Sequence, residues 1–297
     1  MRRIVISTSS SGLDNLKVNT KVNTKVDLIR LRMFINNVEF IDGKNITTKG
    51  LHQLMTGVSC SAIHTQPAPE TEVLALFNDL LRQGYEEVFV TTLSSKLSES
   101  FDTIRRVAAG FQGRMKIYVY DCLELNVCEG LLALEAEHLL NEGESMPRIA
   151  QRLDELRANH KMLFAVDDLS YLIKNKKLSS AAGFFANILN IKPVLQVTEG
   201  GEIIAVNKIR KFERALDHII DDFSESLQQH DSFAYVLSAG RDDLDRYFVN
   251  LIQQRTGVKN LPILPVSNIS LANHGPTGVG LCVFSGQIPK TAEYIVH

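Results

Sequence analysis

"EEVFVTTLSSKLSESFDTIRRVAAGFQGRMKIYVYD", residues 86–121, decides the fold class. Val88-Phe89-Val90 is a short, unbroken apolar run of the kind that is covered on both faces of a sheet. "SESFDTIRRVAAGF" reads as a helix and "KIYVYD" as the next strand. Strand, helix and strand joined by short links predict a parallel sheet flanked by helices. Thr91, Thr92, Ser94, Ser95, Ser98 and Ser100 crowd the junction between the first strand and the helix. A helix start needs one cap, which Ser94 or Ser95 supplies. The other hydroxyls stand at the carboxyl end of a strand, where open α/β sheets bind ligands, so the surplus reads as directed donors to an anion at a helix N-terminus.

The pattern extends in both directions from this stretch. Upstream, "RRIVIS" is another apolar strand, emptying into the hydroxyl-rich turn "TSSSGLDN". "KVNTKVNTKV" (17–26) duplicates a tetrapeptide and reads as a surface segment without assigned function. "LIRLRMFI" reads as one strand, "EFIDGKNI" as two short strands about a turn at Asp42-Gly43, and "PETEVLALFNDLLRQG" as an amphipathic helix stopped by Gly84. Downstream, "NVCEGLLALEAEHLLNEG" and "MPRIAQRLDELRANH" are helices and "MLFAVD" a strand. "LSYLIKNKKLSSAAGFFANILN" reads as two helices broken at a basic run, and "IKPVLQVTEGGEIIAVNKI" as a hairpin around Glu199-Gly200-Gly201. A helix over about 211–229 follows, and then a strand, a helix and two strands ending in "GVGLCVF". The expectation is α/β, with two α/β domains, 1–160 and 161–297. No low-complexity linker separates them, so they pack closely and form a cleft.

Composition narrows the function. The 297 residues are 44% hydrophobic and carry 32 basic and 34 acidic side chains, a net charge of -2. Such a balance gives no bulk attraction to nucleic acid or an anionic membrane. No apolar run approaches the ~18 residues of a membrane span. Cys60, Cys122, Cys128 and Cys282 form neither a CxxC pair nor a metal-ligand spacing with histidine, so no metal site is expected, and with no apolar leader after Met1 the sequence reads as a reduced, cytoplasmic protein.

Several constellations could carry chemistry. In "SAIHTQPAPE" (61–70) two prolines hold His64, Thr65 and Gln66 extended before a helix. A basic set comprises Lys174, Lys176 and Lys177, then Lys208, Arg210, Lys211 and Arg214; it reads as a solvated face or as an attractor of a phosphorylated partner. "NHGPTGVG" (273–280) is a glycine-rich turn headed by Asn273 and His274, without the strand before and helix after that a dinucleotide fingerprint requires. Asp168 reads as a cap for "LSYLIK" rather than half of an acid/base pair with Asp167. There is no GxSxG, P-loop or HExxH, and serines without a paired base are better donors than nucleophiles. The reading is a binding protein, not an enzyme.

Taken together, "HTQPAP", "LSSKLSES", "LSYLIKNKKLSSAAGFFANILNIKPVLQV" and "NHGPTGVG" resemble the TSQPS, SSxLSGT, LxxLxKGGRIS…LLxIKPIL and HxGPGALG motifs of the DegV family, from "RRIVISTSS" to "GVGLCVF". That family comprises fatty-acid-binding proteins, including the lipid-presenting subunits of bacterial fatty acid kinase. The resemblance implies an acyl chain in a tunnel between two α/β domains. The carboxylate is then held by the serine loop, Ser95 foremost, with Ser94, Thr65, His64 and Asn273 or His274 around it. It implies no cofactor beyond the bound fatty acid. Its implied partner is a separate kinase catalytic subunit feeding phospholipid metabolism, faced by Lys177 and Arg210. The chain departs from the pattern at several positions: Thr8-Ser9 replaces Asp-Ser, His64 replaces threonine, Asn273 replaces histidine, Lys177 replaces arginine and Glu99 replaces glycine. These departures suggest that His64 takes over the lost histidine's role, and Lys177 forgoes bidentate phosphate contact. The alternatives are a divergent binder of another apolar carboxylate, a regulatory lipid sensor, and an acyl hydrolase using Ser95 and His64.

Overall fold

A computed structural model describes residues 2–17, 25–57, 62–179 and 191–295. Four strands, β1 (Arg2–Thr8), β2 (Val26–Ile29), β6 (Tyr85–Thr92) and β7 (Lys116–Asp121), form a wholly parallel sheet in the order β2-β1-β6-β7. Its apolar runs are unbroken because both faces are covered. Ile4, Ile6, Val88 and Val90 meet α2 (Glu70–Arg82) and α3 (Ser100–Ala109), while Val5 and Phe89 join the core of α4 (Val127–Asn141) and α5 (Met146–Ala158).

"LIRLRMFI" is not one strand: it leaves the parallel sheet after Ile29 and enters a separate antiparallel sheet of β3 (Arg32–Ile35), β4 (Val38–Ile41) and β5 (Ile63–Gln66), ordered β4-β3-β5. The hairpin turn is Asn36-Asn37, both with positive φ (50° and 66°), and Asp42-Gly43 lies past the end of β4. Asparagine tolerates the left-handed conformation that two-residue hairpin turns demand. Helix α1 (Thr48–Thr56) connects β4 to β5.

The second half is built on a six-stranded, mainly antiparallel sheet. Its strands are β8 (His160–Val166), β9 (Val194–Val197), β10 (Ile203–Ala205), β11 (Ser232–Ser238), β12 (Ile263–Pro265) and β13 (Gly278–Ser285), ordered β10-β9-β8-β13-β11-β12. Only β11 and β12 run parallel. Helices α7 (Phe212–Phe223) and α8 (Asp242–Thr256) cover one face through Leu163, Ala165, Val279, Leu281 and Val283. The alternate residues, Met162, Val166, Leu237 and Cys282 among them, belong to the same core as Val5, Phe89 and Leu131 of the first half. Alternation along the strands thus turns one face of this sheet toward the first half.

Two short helices complete the architecture: α6 (Ser170–Lys174) after β8, and α9 (Asn268–His274) before β13. The N-cap of the first is Leu169 rather than the expected Asp168, which stands one residue earlier and accepts from the Ser170 amide at 2.8 Å. The second replaces the expected plain turn: Ser267 caps it, accepting from the Ser270 amide at 3.2 Å. The second helix expected within "LSSAAGFFANILN" and most of the KVNT repeat lie outside the described residues.

Candidate functional site

Between the two halves lies a cavity lined by residues of both. Its walls are mostly apolar. The six-stranded sheet supplies Met162, Phe164, Val166, Ile203 and Leu237, and the opposite wall is Leu31, Leu93, Leu97 and Leu125. Thr65, Ser98, Lys177, Ser270, Asn273 and His274 add polar groups. Thr65, Leu97, Ser98 and Lys177 also line a second, more open and polar recess with Ser95, Lys96, Arg106, Asn175 and Lys176. The shared residues make this recess the mouth of the cavity.

Each polar group arrives on a different element. β5 carries Thr65 across, its hydroxyl oxygen accepting from Asn273 Nδ2 at 3.0 Å. The same amide nitrogen donates to the Ile269 carbonyl at 2.7 Å. The Thr65 proton therefore remains available for a ligand oxygen. Asn273 and His274 form the last turn of α9, which ends because Gly275 takes φ +91°; a Cβ there would stand 2.7 Å from the Tyr171 ring. Asn273 Oδ1 and His274 Nδ1 are buried without a hydrogen-bond partner. Burial pulls the His274 imidazole down to about 4, so it is neutral at pH 7 and has one N–H to offer. Lys177 donates to the Leu97 carbonyl at 2.6 Å, and burial lowers its pKa.

The serine loop is assembled differently from the expectation. α3 begins only at Ser100, whose amide donates to Ser98 Oγ at 3.2 Å, so neither Ser94 nor Ser95 caps it. Ser94 is fully buried and donates to the Gly201 carbonyl at 2.7 Å, tying the loop to the β9-β10 hairpin. Gly201 has φ +83°, and a Cβ on it would fall 2.2 Å from Ser94 Oγ. Ser95 is half-buried at the mouth; its amide and that of Leu123 both donate to Asp121 Oδ1, at 3.1 and 3.0 Å. Ser98, in both linings, is the hydroxyl of this loop that reaches the cavity.

His64 is exposed and stacks on Phe34 with ring centroids 5.0 Å apart. Neighbouring residues of a strand face opposite sides, so the strand that delivers Thr65 turns His64 away, and the substitution by His64 for a lost histidine is not what the fold does. Arg210 is exposed and lines neither cavity nor mouth.

The hydroxyls ending β1 serve another purpose. Ser7, Thr8 and Ser10 all donate to the fully buried Glu129 of α4, Ser10 at 2.7 Å. Burial raises this carboxyl to about 8 despite those bonds. Glu129 and Asp121 escaped the sequence reading. A Glu inside an apolar helix at 127–141 was the only available sign of the first.

Residues 4–286 match the family described as uncharacterised protein, DegV family. The chain belongs to the DegV family. A DegV domain-containing protein of Clostridium acetobutylicum is 23% identical over 285 residues, covering 96% of this chain and 99% of the relative. The fold is that of the fatty acid binding DegV family protein from Streptococcus agalactiae, with TM-score 0.84 at 20% identity and coverage of 96% and 99% of the two chains. A stearic acid-binding protein from Eubacterium ventriosum matches with TM-score 0.81 at 19% identity, over 96% and 98%. Among the described residues no helix is long and apolar enough to cross a membrane.

Proposed function

We propose that this chain binds one long-chain fatty acid, acting in the cytoplasm as a non-enzymatic carrier. The tail lies in the apolar cavity and the carboxylate at its polar end. The observation that carries this reading is an apolar cavity whose polar end holds the Thr65 hydroxyl, its proton unassigned, and the unpartnered His274 Nδ1, and which shares Thr65 and Ser98 with an open, polar recess. Each methylene withdrawn from water contributes about 0.8 kcal/mol, so the tail supplies affinity and the hydroxyls supply orientation. Solved DegV relatives described as fatty acid or stearic acid binding support the ligand class.

The carboxylate is presented through the mouth to a separate acyl kinase catalytic subunit, with Ser95 and the Lys176-Lys177 loop at the contact. Lys177 meets the acyl phosphate from the cavity side. A carrier without kinase coupling is the second reading, favoured by Arg210 standing away from the mouth and by Lys177 being engaged with Leu97. Native purification, organic extraction and mass spectrometry test the first step: about one fatty acid per chain is expected. An empty extract, together with no binding of added fatty acids, refutes the carrier. Loaded protein mixed with a fatty acid kinase and ATP tests the second, since acyl phosphate formation separates presentation from simple sequestration.

A further inference from the structure

The cysteine and histidine spacing in the sequence shows no metal set. The tertiary structure nevertheless brings Glu124, Cys128 and His160 together, one potential ligand atom from each lying within 4.8 Å of the others. Glu124 precedes α4, Cys128 stands in its first turn, and His160 opens β8, so the cluster joins the two halves of the chain. All three side chains are buried: Glu124 is 5% exposed, Cys128 0%, and the His160 side chain 0%.

We propose that these three residues bind a single divalent transition-metal ion of the zinc type. The ligand types are those of zinc: a thiolate, an imidazole and a carboxylate. Glu124 Oε2 is buried with no hydrogen-bond partner, an orphaned acceptor inside the cluster. His160 Nδ1 faces Glu124 Oε1 at 2.7 Å, while Nε2 lies 3.2 Å from the Tyr235 hydroxyl. Metal binding selects the tautomer in which Nε2–H donates to the Tyr235 hydroxyl and Nδ1 is bare, so the Nδ1 contact with Glu124 is exchanged for the ion. Tetrahedral coordination requires the Nδ1···Oε1 contact to open to about 3.4 Å, a sub-ångström movement. The carboxylate and thiolate balance a divalent cation, so the loaded site is neutral, which suits its burial. Loading displaces the Cys128 proton to solvent. Glu124 and His160 also line a surface groove with Arg157, Lys161 and Gln196, separate from the lipid cavity, which gives an ion its entry route and leaves a fourth position for water.

The probe is Co2+ titrated into chelator-treated, full-length protein. One equivalent is expected to produce the visible bands of four-coordinate cobalt with a cobalt–thiolate charge-transfer band in the near ultraviolet, bleached by Zn2+. Cys128→Ser should lose the charge-transfer band while keeping its circular dichroism spectrum. A band that survives in Cys128→Ser comes from another thiol and overturns the assignment, as does no band in the wild type. Should the variant fail to fold, anomalous scattering from zinc-soaked wild-type crystals decides. A peak about 2.0–2.3 Å from all three side chains supports the site, and a peak only elsewhere, or none, refutes it.

Discussion

Replacing Thr65 by Val isolates the head-group contact from the apolar cavity. The two side chains have nearly the same shape, so the wall is preserved and only a hydroxyl is lost. Its oxygen accepts from Asn273 Nδ2 at 3.0 Å and its proton is free for the ligand. Asn273 keeps the Ile269 carbonyl, 2.7 Å away, as a second acceptor, so the fold loses little. A hydrogen bond to a charged acceptor contributes about 1.5–3 kcal/mol, which predicts affinity for a fatty acid ~10- to ~100-fold weaker. The tail's contribution should be untouched: about 0.8 kcal/mol, or roughly fourfold, per methylene in both proteins. Displacement of a fluorescent fatty acid by a series of saturated acids measures offset and slope together. Corresponding fatty alcohols, lacking the charge, should discriminate between the two proteins far less. An offset under about threefold, or a changed slope with no offset, refutes the placement of the carboxylate at Thr65.

Two further substitutions test groups that the sequence could not separate. Ser94→Ala removes the buried bond to the Gly201 carbonyl and should cost about 1–3 kcal/mol in urea denaturation while leaving fatty acid affinity unchanged; weakened binding at unchanged stability would make Ser94 a ligand donor after all. Glu129, raised from 4.5 to about 8, is protonated in the fold where the unfolded chain is ionised, so stability falls as pH rises between those values. His274, lowered from 6.5 to about 4, acts oppositely below 6.5, where stability falls as pH falls. Between pH 6.5 and 8 only the Glu129 effect of this pair remains. Delipidated protein should then lose about 2 kcal/mol across that interval, and Glu129→Gln should abolish the slope; an equal slope in the variant removes Glu129 as its source.

The alternation of apolar strands and amphipathic helices from residue 69 to 158 was legible because each element states its own period and ends. The same holds for the β9-β10 hairpin at its glycine pair. Elements lacking a strong period were not: α9 is seven residues long with polar ends, and Asn36-Asn37 was outweighed by Asp42-Gly43 as a turn signal. For the site, the sequence put Thr65, Asn273 and His274 among the carboxylate-binding candidates and Lys177 among the phosphate- or kinase-facing ones, and all four line the cavity. It could not rank Ser94, Ser95 and Ser98, because which hydroxyl of a crowded loop meets the ligand depends on a carbonyl 107 residues away.

A parallel sheet covered on both faces, the β9-β10 hairpin and a hydroxyl-rich loop at a strand end were already written in the sequence, since these follow from local periodicity and turn chemistry. Long-range packing was needed to turn His64 away and Thr65 in, to close the hydroxyls at the end of β1 around Glu129, and to bring Glu124, Cys128 and His160 together. The physical reason is that strand alternation fixes opposite faces, but which face becomes the cavity depends on what packs against each one. That partner is chosen by contacts between residues far apart in the chain.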